Sequence, residues 1–155
     1  MNLAEDIKAS GREAAEFYIA SLNRQIRENM NAALRPFGLK LADWRLLQCM
    51  ERSAKLSIAD LAELAVIERS VASRLIDKLV KRGLARKQID TVDRRFTEIS
   101  ISAAGKGKLQ EAERAVNDLR VQLFDGLSAE EYEALLGILQ TVKRNAKGYD
   151  RLRMG

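Results

Sequence analysis

Apolar residues recur every three or four positions along most of this chain, and in one stretch only they switch to alternation. From about Leu3 to Arg35, Phe17, Ala20, Ile26, Met30, Ala33 and Leu34 return at helical spacing among charges, which predicts one long helix. Pro36 and Gly38 stop it. Leu46, Leu47 and Met50, with the bulk of Trp44, give a second helix over 41–52 a buried side. Ser57-Ile-Ala-Asp60 is a capping box in its acidic form ahead of Leu61, Leu64 and Ala65, and it starts a short helix. Val66-Ile67-Glu68 turns the chain into a helix from Arg69 to Arg82, ended by Gly83, with Lys81 and Arg82 where the helix dipole favours cations. The period then changes to two. Ile99 and Ile101 alternate with Glu98, Ser100 and Ser102, so 84–89 and 96–102 are predicted strands joined by a loop at 90–95. Leu109, Ala112, Val116, Leu119 and Leu123 restore a helical seam, which Gly126 breaks. A second capping box, Ser128 to Glu131, opens the last helix, with Leu127 and Tyr132 spaced as a hydrophobic staple and Leu135, Leu136, Ile138, Leu139 and Val142 beyond. Residues 148–155 are expected to form a flexible tail. The fold class is therefore mostly α with a small β-wing.

A length of 155 residues fits one domain with helical extensions. Aromatic residues are only 5% of the chain, too few for a platform that stacks single-stranded bases. Histidine is absent, which removes the commonest general base and transition-metal ligand. No glycine-rich phosphate loop and no nucleophilic triad is present, so no catalysis, metal or cofactor is expected. The single cysteine, Cys49, allows no internal disulfide and points to a reducing compartment. The N-terminus lacks the apolar segment of a signal peptide, and no apolar run reaches the roughly 20 residues of a membrane span, so a cytoplasmic location without membrane contact is expected.

Positive charge is unevenly distributed along the chain. Between Arg69 and Arg95 nine Lys and Arg stand against three acids, a net of +6, while the whole chain carries +5. All the excess positive charge sits on one helix and one hairpin, the footprint of a polyanion partner. At about 100° per residue, Val71, Ala72, Leu75, Ile76 and Leu79 share one side of the Arg69 helix, and Arg69, Ser70, Ser73, Arg74, Asp77 and Lys81 the other. Small hydroxyl residues near the helix start permit close approach to a duplex, and arginines can pair with guanine edges or phosphates. A helix of this kind behind a short helix and a tight turn is the helix-turn-helix design, whose second helix enters the major groove. At the hairpin tip, an arginine from Arg94 or Arg95 can enter the narrow minor groove, braced by the carboxylate of Asp93.

Residues 56–107 resemble the winged helix-turn-helix of the MarR (multiple antibiotic resistance regulator) family. The matching pieces are Leu61-Ala62, Ser70-Val71-Ala72-Ser73-Arg74, Lys81-Arg82-Gly83-Leu84, Arg86 and Asp93-Arg94-Arg95. Ile101-Ser102-Ala103-Ala104-Gly105 departs from the family's Leu-Thr-x-x-Gly in detail but keeps its character, and Leu41 to Leu47 is similar to the family's second helix. The resemblance implies a homodimer built by residues 1–36 and 103–147, with 41–102 as the DNA-binding lobe. The apolar seam from Leu109 to Leu123 and the final helix exceed what one small winged domain could cover, which agrees with an interface. The implied partner is double-stranded DNA with a pseudo-palindromic operator. Arg69, Ser70, Ser73, Arg74, Lys78, Arg86, Asp93, Arg94 and Arg95 are the expected DNA contacts. Ser70, Ser73 and Arg74 would read bases, Arg69, Lys78 and Arg86 would hold phosphates, and Arg95 would enter the minor groove. The resemblance further implies a repressor released by a small aromatic or phenolic acid, with Arg12, Trp44 and Arg45 as candidates for its pocket. The alternatives are a winged-helix dimer that acts through a protein partner, or an oxidant sensor working through Cys49.

Overall fold

The computed structural model describes Glu5, residues 14–93 and residues 96–153. The chain divides into two compact units, Met1–Leu119 and Arg120–Gly155. Helix α1 (Ala15–Leu34) runs into a 3-10 turn (Arg35–Phe37) that holds Pro36, and Gly38 closes it in the left-handed region at φ 69°. Helix α2 (Leu41–Arg52) is fixed to that turn by local polar bonds. The Lys40 amide donates to Asp43 Oδ2 at 2.9 Å, and the Leu41 amide to Asn31 Oδ1 of α1 at 2.8 Å. These satisfy amides that a helix start otherwise leaves without partners.

Helix α3 (Ile58–Ala65) begins at the capping box expected from the sequence. The Asp60 amide donates to Ser57 Oγ at 3.1 Å, and the Ser57 amide returns a bond to Asp60 Oδ2 at 3.1 Å. Bonds from the Ser57 hydroxyl and then its amide hold the Asp60 carboxyl below the ordinary carboxylate range. Val66 ends α3 at φ 57°, an unusual place for a β-branched side chain. Helix α4 (Arg69–Lys81) follows, and Gly83 at φ 72° turns the chain into β1 (Ala85–Ile89). Strand β2 (Thr97–Ile101) pairs antiparallel with β1, Ala85 opposite Ile101 and Ile89 opposite Thr97. An isolated bridge from Leu56 to Ile99 adds a third short edge to this wing.

The core of the first unit draws on every one of these elements. Leu34, Leu46, Leu47, Leu61, Ile76, Leu79, Ile99 and Val116 are its largest fully buried side chains. Each contributes about 1.5–3 kcal/mol by leaving water. One face of α4 is thereby committed inward through Ala72, Ile76 and Leu79, which is why its other face stays outside. Helix α5 (Ala103–Leu123) is joined to the wing by Ser102, buried at the end of β2. The Ser102 hydroxyl donates to the Gly83 carbonyl at 2.5 Å and accepts from the Gly105 amide at 3.0 Å, tying the end of α4 to the start of α5.

The structure differs from the sequence reading at three places. Leu109, Ala112 and Val116, read as part of an intermolecular seam, are buried in the chain's own core. In the second unit, Tyr132 packs edge-on against Phe124, centroids 4.9 Å apart, and Leu127 stays largely exposed, so the expected Leu127–Tyr132 staple is replaced by an aromatic pair. The Ser128–Glu131 box does form, with bonds of 2.8 and 3.1 Å. Helix α6 (Ala129–Arg153) continues through most of the stretch expected as a flexible tail, where Lys147, Arg151, Leu152 and Arg153 are good helix formers and Gly148 alone does not stop it. The start of the predicted first helix lies outside the described residues, as does Arg12.

Candidate nucleic-acid interface

Helix α4 is capped by Glu68. Its carboxylate accepts from the Ser70 amide at 3.0 Å, the Val71 amide at 3.1 Å and the Ser70 hydroxyl. The hydroxyl bond first, and then the amides, hold the Glu68 carboxyl below its ordinary range, with the Arg74 charge adding to this. A lowered value means the cap is in place above the ordinary carboxylate range and is lost as pH falls through the lowered one. Beyond the cap, Arg69, Ser70, Arg74, Lys78 and Lys81 are exposed, and Ser73 is half-buried on the flank of the same face. The sequence brings these side chains together because Ala72, Ile76 and Leu79 fix the rotation of the helix.

The wing carries Arg86 on β1, exposed. Asp90 shapes the hairpin tip: its Oδ1 accepts from the amides of Val92 at 2.7 Å and Asp93 at 3.2 Å. The Asp90 amide bonds the Phe96 carbonyl, and the Phe96 amide bonds the Asp93 carbonyl, both at 2.9 Å. Asp93 is half-buried at this corner. Arg94 and Arg95 lie outside the described residues.

Among the described residues, Lys87 and Arg82 have structural partners that the sequence reading did not assign. Lys87 Nζ bonds Asp77 Oδ1 at 2.6 Å, joining β1 to the outer face of α4. Arg82 donates to the Gly38 carbonyl at 2.7 Å and lies 3.9 Å from Asp43, which ties the end of α4 to the α1–α2 turn. The signal for the first pair was an acid on an otherwise basic helix face beside a strand lysine; the second joins residues too far apart in the chain to be read.

Of the effector candidates, Arg45 lines a cavity of about 310 Å3 with Arg27, Asn31, Lys40, Glu68 and Val71. Burial, and then the Arg27 charge, push the Arg45 guanidinium below its ordinary value. Among the described residues neither arginine has an ion-pair partner. Trp44 is not among the residues lining that cavity; it is buried in the core, and among the described residues its Nε1 has no hydrogen-bond partner. Cys49 is half-buried, and burial pushes its thiol up, leaving less reactive thiolate than an open cysteine holds. Among the described residues no helix is long and apolar enough to cross a membrane.

Residues 37–95, from the α1–α2 turn to the wing tip, match the model of the MarR family. The HTH-type transcriptional regulator YwaE of Bacillus subtilis (strain 168) is 35% identical over 85 residues, which is 55% of this chain and 50% of that protein. The chain thus matches about half the length of this curated relative. A transcriptional regulator of the MarR family from Silicibacter pomeroyi superimposes with a TM-score of 0.71 at 28% identity, over 94% of this chain and 96% of that one. CouR of Rhodococcus jostii RHA1 is alike in fold at 21–22% identity, with TM-scores of 0.77 on a 23-mer DNA duplex and 0.76 with p-coumaroyl-CoA. Each comparison covers 84% of this chain, and 93% and 92% of CouR respectively. With its capped helix pair, wing and flanking helices, the chain is similar to the MarR-family regulators, in sequence over residues 37–95 and in fold over most of its length.

Proposed function

We propose that the chain is a sequence-specific regulator of transcription that binds double-stranded DNA, acting as a repressor. The observation that carries this reading is the outer face of α4, where Arg69, Ser70, Arg74 and Lys78 stand exposed together beside a wing bearing Arg86. In this reading Arg74 and Ser73 read base edges in the major groove. Ser70 does so as well once its hydroxyl turns from Glu68. Arg69, Lys78 and Arg86 neutralise phosphates, and Arg95, steadied by Asp93, enters the minor groove. The DNA-bound CouR structure supports the same docking by likeness of fold.

The active species is a homodimer. Phe17, Tyr18, Ile19 and Leu22 expose one apolar run on α1, and Val121, Ile138, Leu139 and Val142 expose another in the second unit. Two-fold pairing puts two α4 helices about 34 Å apart and selects an inverted repeat. The effector is a small aromatic carboxylic acid held in the cavity between Arg27 and Arg45, whose unpaired guanidiniums favour an anion. It releases DNA by favouring a spacing that cannot meet both half-sites, a coupling of about 1–3 kcal/mol.

Selection of bound duplexes from a random pool with the full chain tests this reading. Enriched inverted repeats with half-sites one helical turn apart are expected. Salicylate should then weaken binding to the selected duplex, and Arg45→Ala should abolish that response. No enrichment over the starting pool would remove the reading and favour a protein partner.

A further inference from the structure

The outer end of the wing combines charge with exposed apolar side chains. Val92 is 94% exposed and Ile89 67%, on the same hairpin as the exposed Phe96. Side chains alternate across the sheet, so Ile89 shares a face with Lys87 and Ala85 rather than with Arg86 and Gln88. That face is identified by its contacts: Ala85 is buried, and Lys87 reaches Asp77 on the outer face of α4. Ile89 therefore lies beyond Lys87 on the side of the wing turned toward α4. Val92 is held outward at the tip, because Asp90 Oδ1 takes up the amides of both Val92 and Asp93.

If α4 occupies the major groove and the wing the adjacent minor groove, the duplex backbone between them passes along this side. Its phosphates point outward, and its deoxyribose carbons form the apolar wall of the minor groove. We propose that Ile89 and Val92 are an apolar contact to the deoxyribose walls of DNA, a grip on the duplex separate from its phosphates. The inference rests on the DNA-binding reading and adds to it an interaction with no charge. Continuity with the cations of α4 names DNA as the occupant, since an apolar partner protein would meet those cations at the same edge.

The test compares the full chain with the double variant Ile89→Thr/Val92→Thr on a duplex selected from a random pool, across a series of salt concentrations. Threonine keeps the β-branched shape of a strand residue, and both positions are exposed, so melting temperatures should match. The double variant should bind about tenfold more weakly, the effect of losing a modest apolar contact. Its slope of log affinity against log salt should equal that of the unaltered chain, because no phosphate contact is lost. Arg86→Ala is the contrast, with a slope lower by about one. Val92→Ile with Ile89 intact should keep full affinity. Unchanged affinity of the threonine variant, or a loss accompanied by a changed slope, overturns the apolar contact while leaving DNA binding intact. Failure of the unaltered chain to bind any duplex removes both.

Discussion

Gly105→Ala is expected to destabilise the protein by about 3 kcal/mol, the upper range for forcing an atom into packed surroundings. A Cβ at this position would lie 2.1 Å from the Leu84 carbonyl oxygen and 2.7 Å from Ile101 Cγ1. The first neighbour is backbone and cannot rotate away. Relief requires the start of α5 to move off the α4–β1 junction. That would strain the Ser102 hydroxyl bonds to Gly83 and Gly105 that join the two. At Gly107, two residues on in the same helix, a Cβ would meet nothing within 4 Å. Gly107→Ala should accordingly raise stability by up to about 1 kcal/mol through helix propensity. Urea unfolding of both variants checks the pair: the midpoint should fall for Gly105→Ala and hold or rise for Gly107→Ala. Equal midpoints would mean that α5 does not pack on Leu84 as described.

Arg74→Ala should reduce affinity for the preferred duplex by about 1–3 kcal/mol, roughly ten- to a hundredfold, and relax sequence preference at one position of each half-site. Arg74 is exposed on the second turn of α4, beyond the Glu68 cap, where the proposed docking brings the major-groove edge nearest. Lys78, one turn further on the same face, should behave differently. Lys78→Ala should weaken binding to all duplexes alike, since a phosphate carries no letter. Competition binding with a set of single-base-pair variants of the selected duplex separates the two. A uniform loss across that set for Arg74→Ala would take base reading away from this side chain.

What was legible in the sequence was whatever is fixed by neighbours in the chain. The Ser57–Asp60 and Ser128–Glu131 boxes, the turn at Val66, the stop at Gly83 and the alternation at Ile99 and Ile101 all depend on residues a few positions apart, and all form. The outer face of α4 was legible for the same reason, because its rotation follows from Ala72, Ile76 and Leu79. What escaped were pairings set by packing over distance. Lys87 with Asp77 and Arg82 with Gly38 join separate elements, so counting charges along the chain overstated the cations free to meet a polyanion. The seam of α5 was misassigned in part because spacing shows that Leu109 and Val116 are buried without showing by whom. Trp44 and Arg45 are adjacent in sequence yet end in core and cavity, since successive helical residues point about 100° apart. The Glu68 carboxylate occupied by Ser70 was also missed, although an acid two residues before a serine at a helix start is a signal that could have found it.

The proposed function has paired copies of this chain holding duplex DNA through the cationic face of α4 and the wing. Its most direct measurement is a binding isotherm of the full chain on a selected duplex at rising salt. If six to ten phosphates are neutralised by the dimer, affinity should fall by about 10³ to 10⁵ between roughly 50 and 200 mM salt. An affinity that stays level across that range, or no measurable binding at its lower end, would contradict the account.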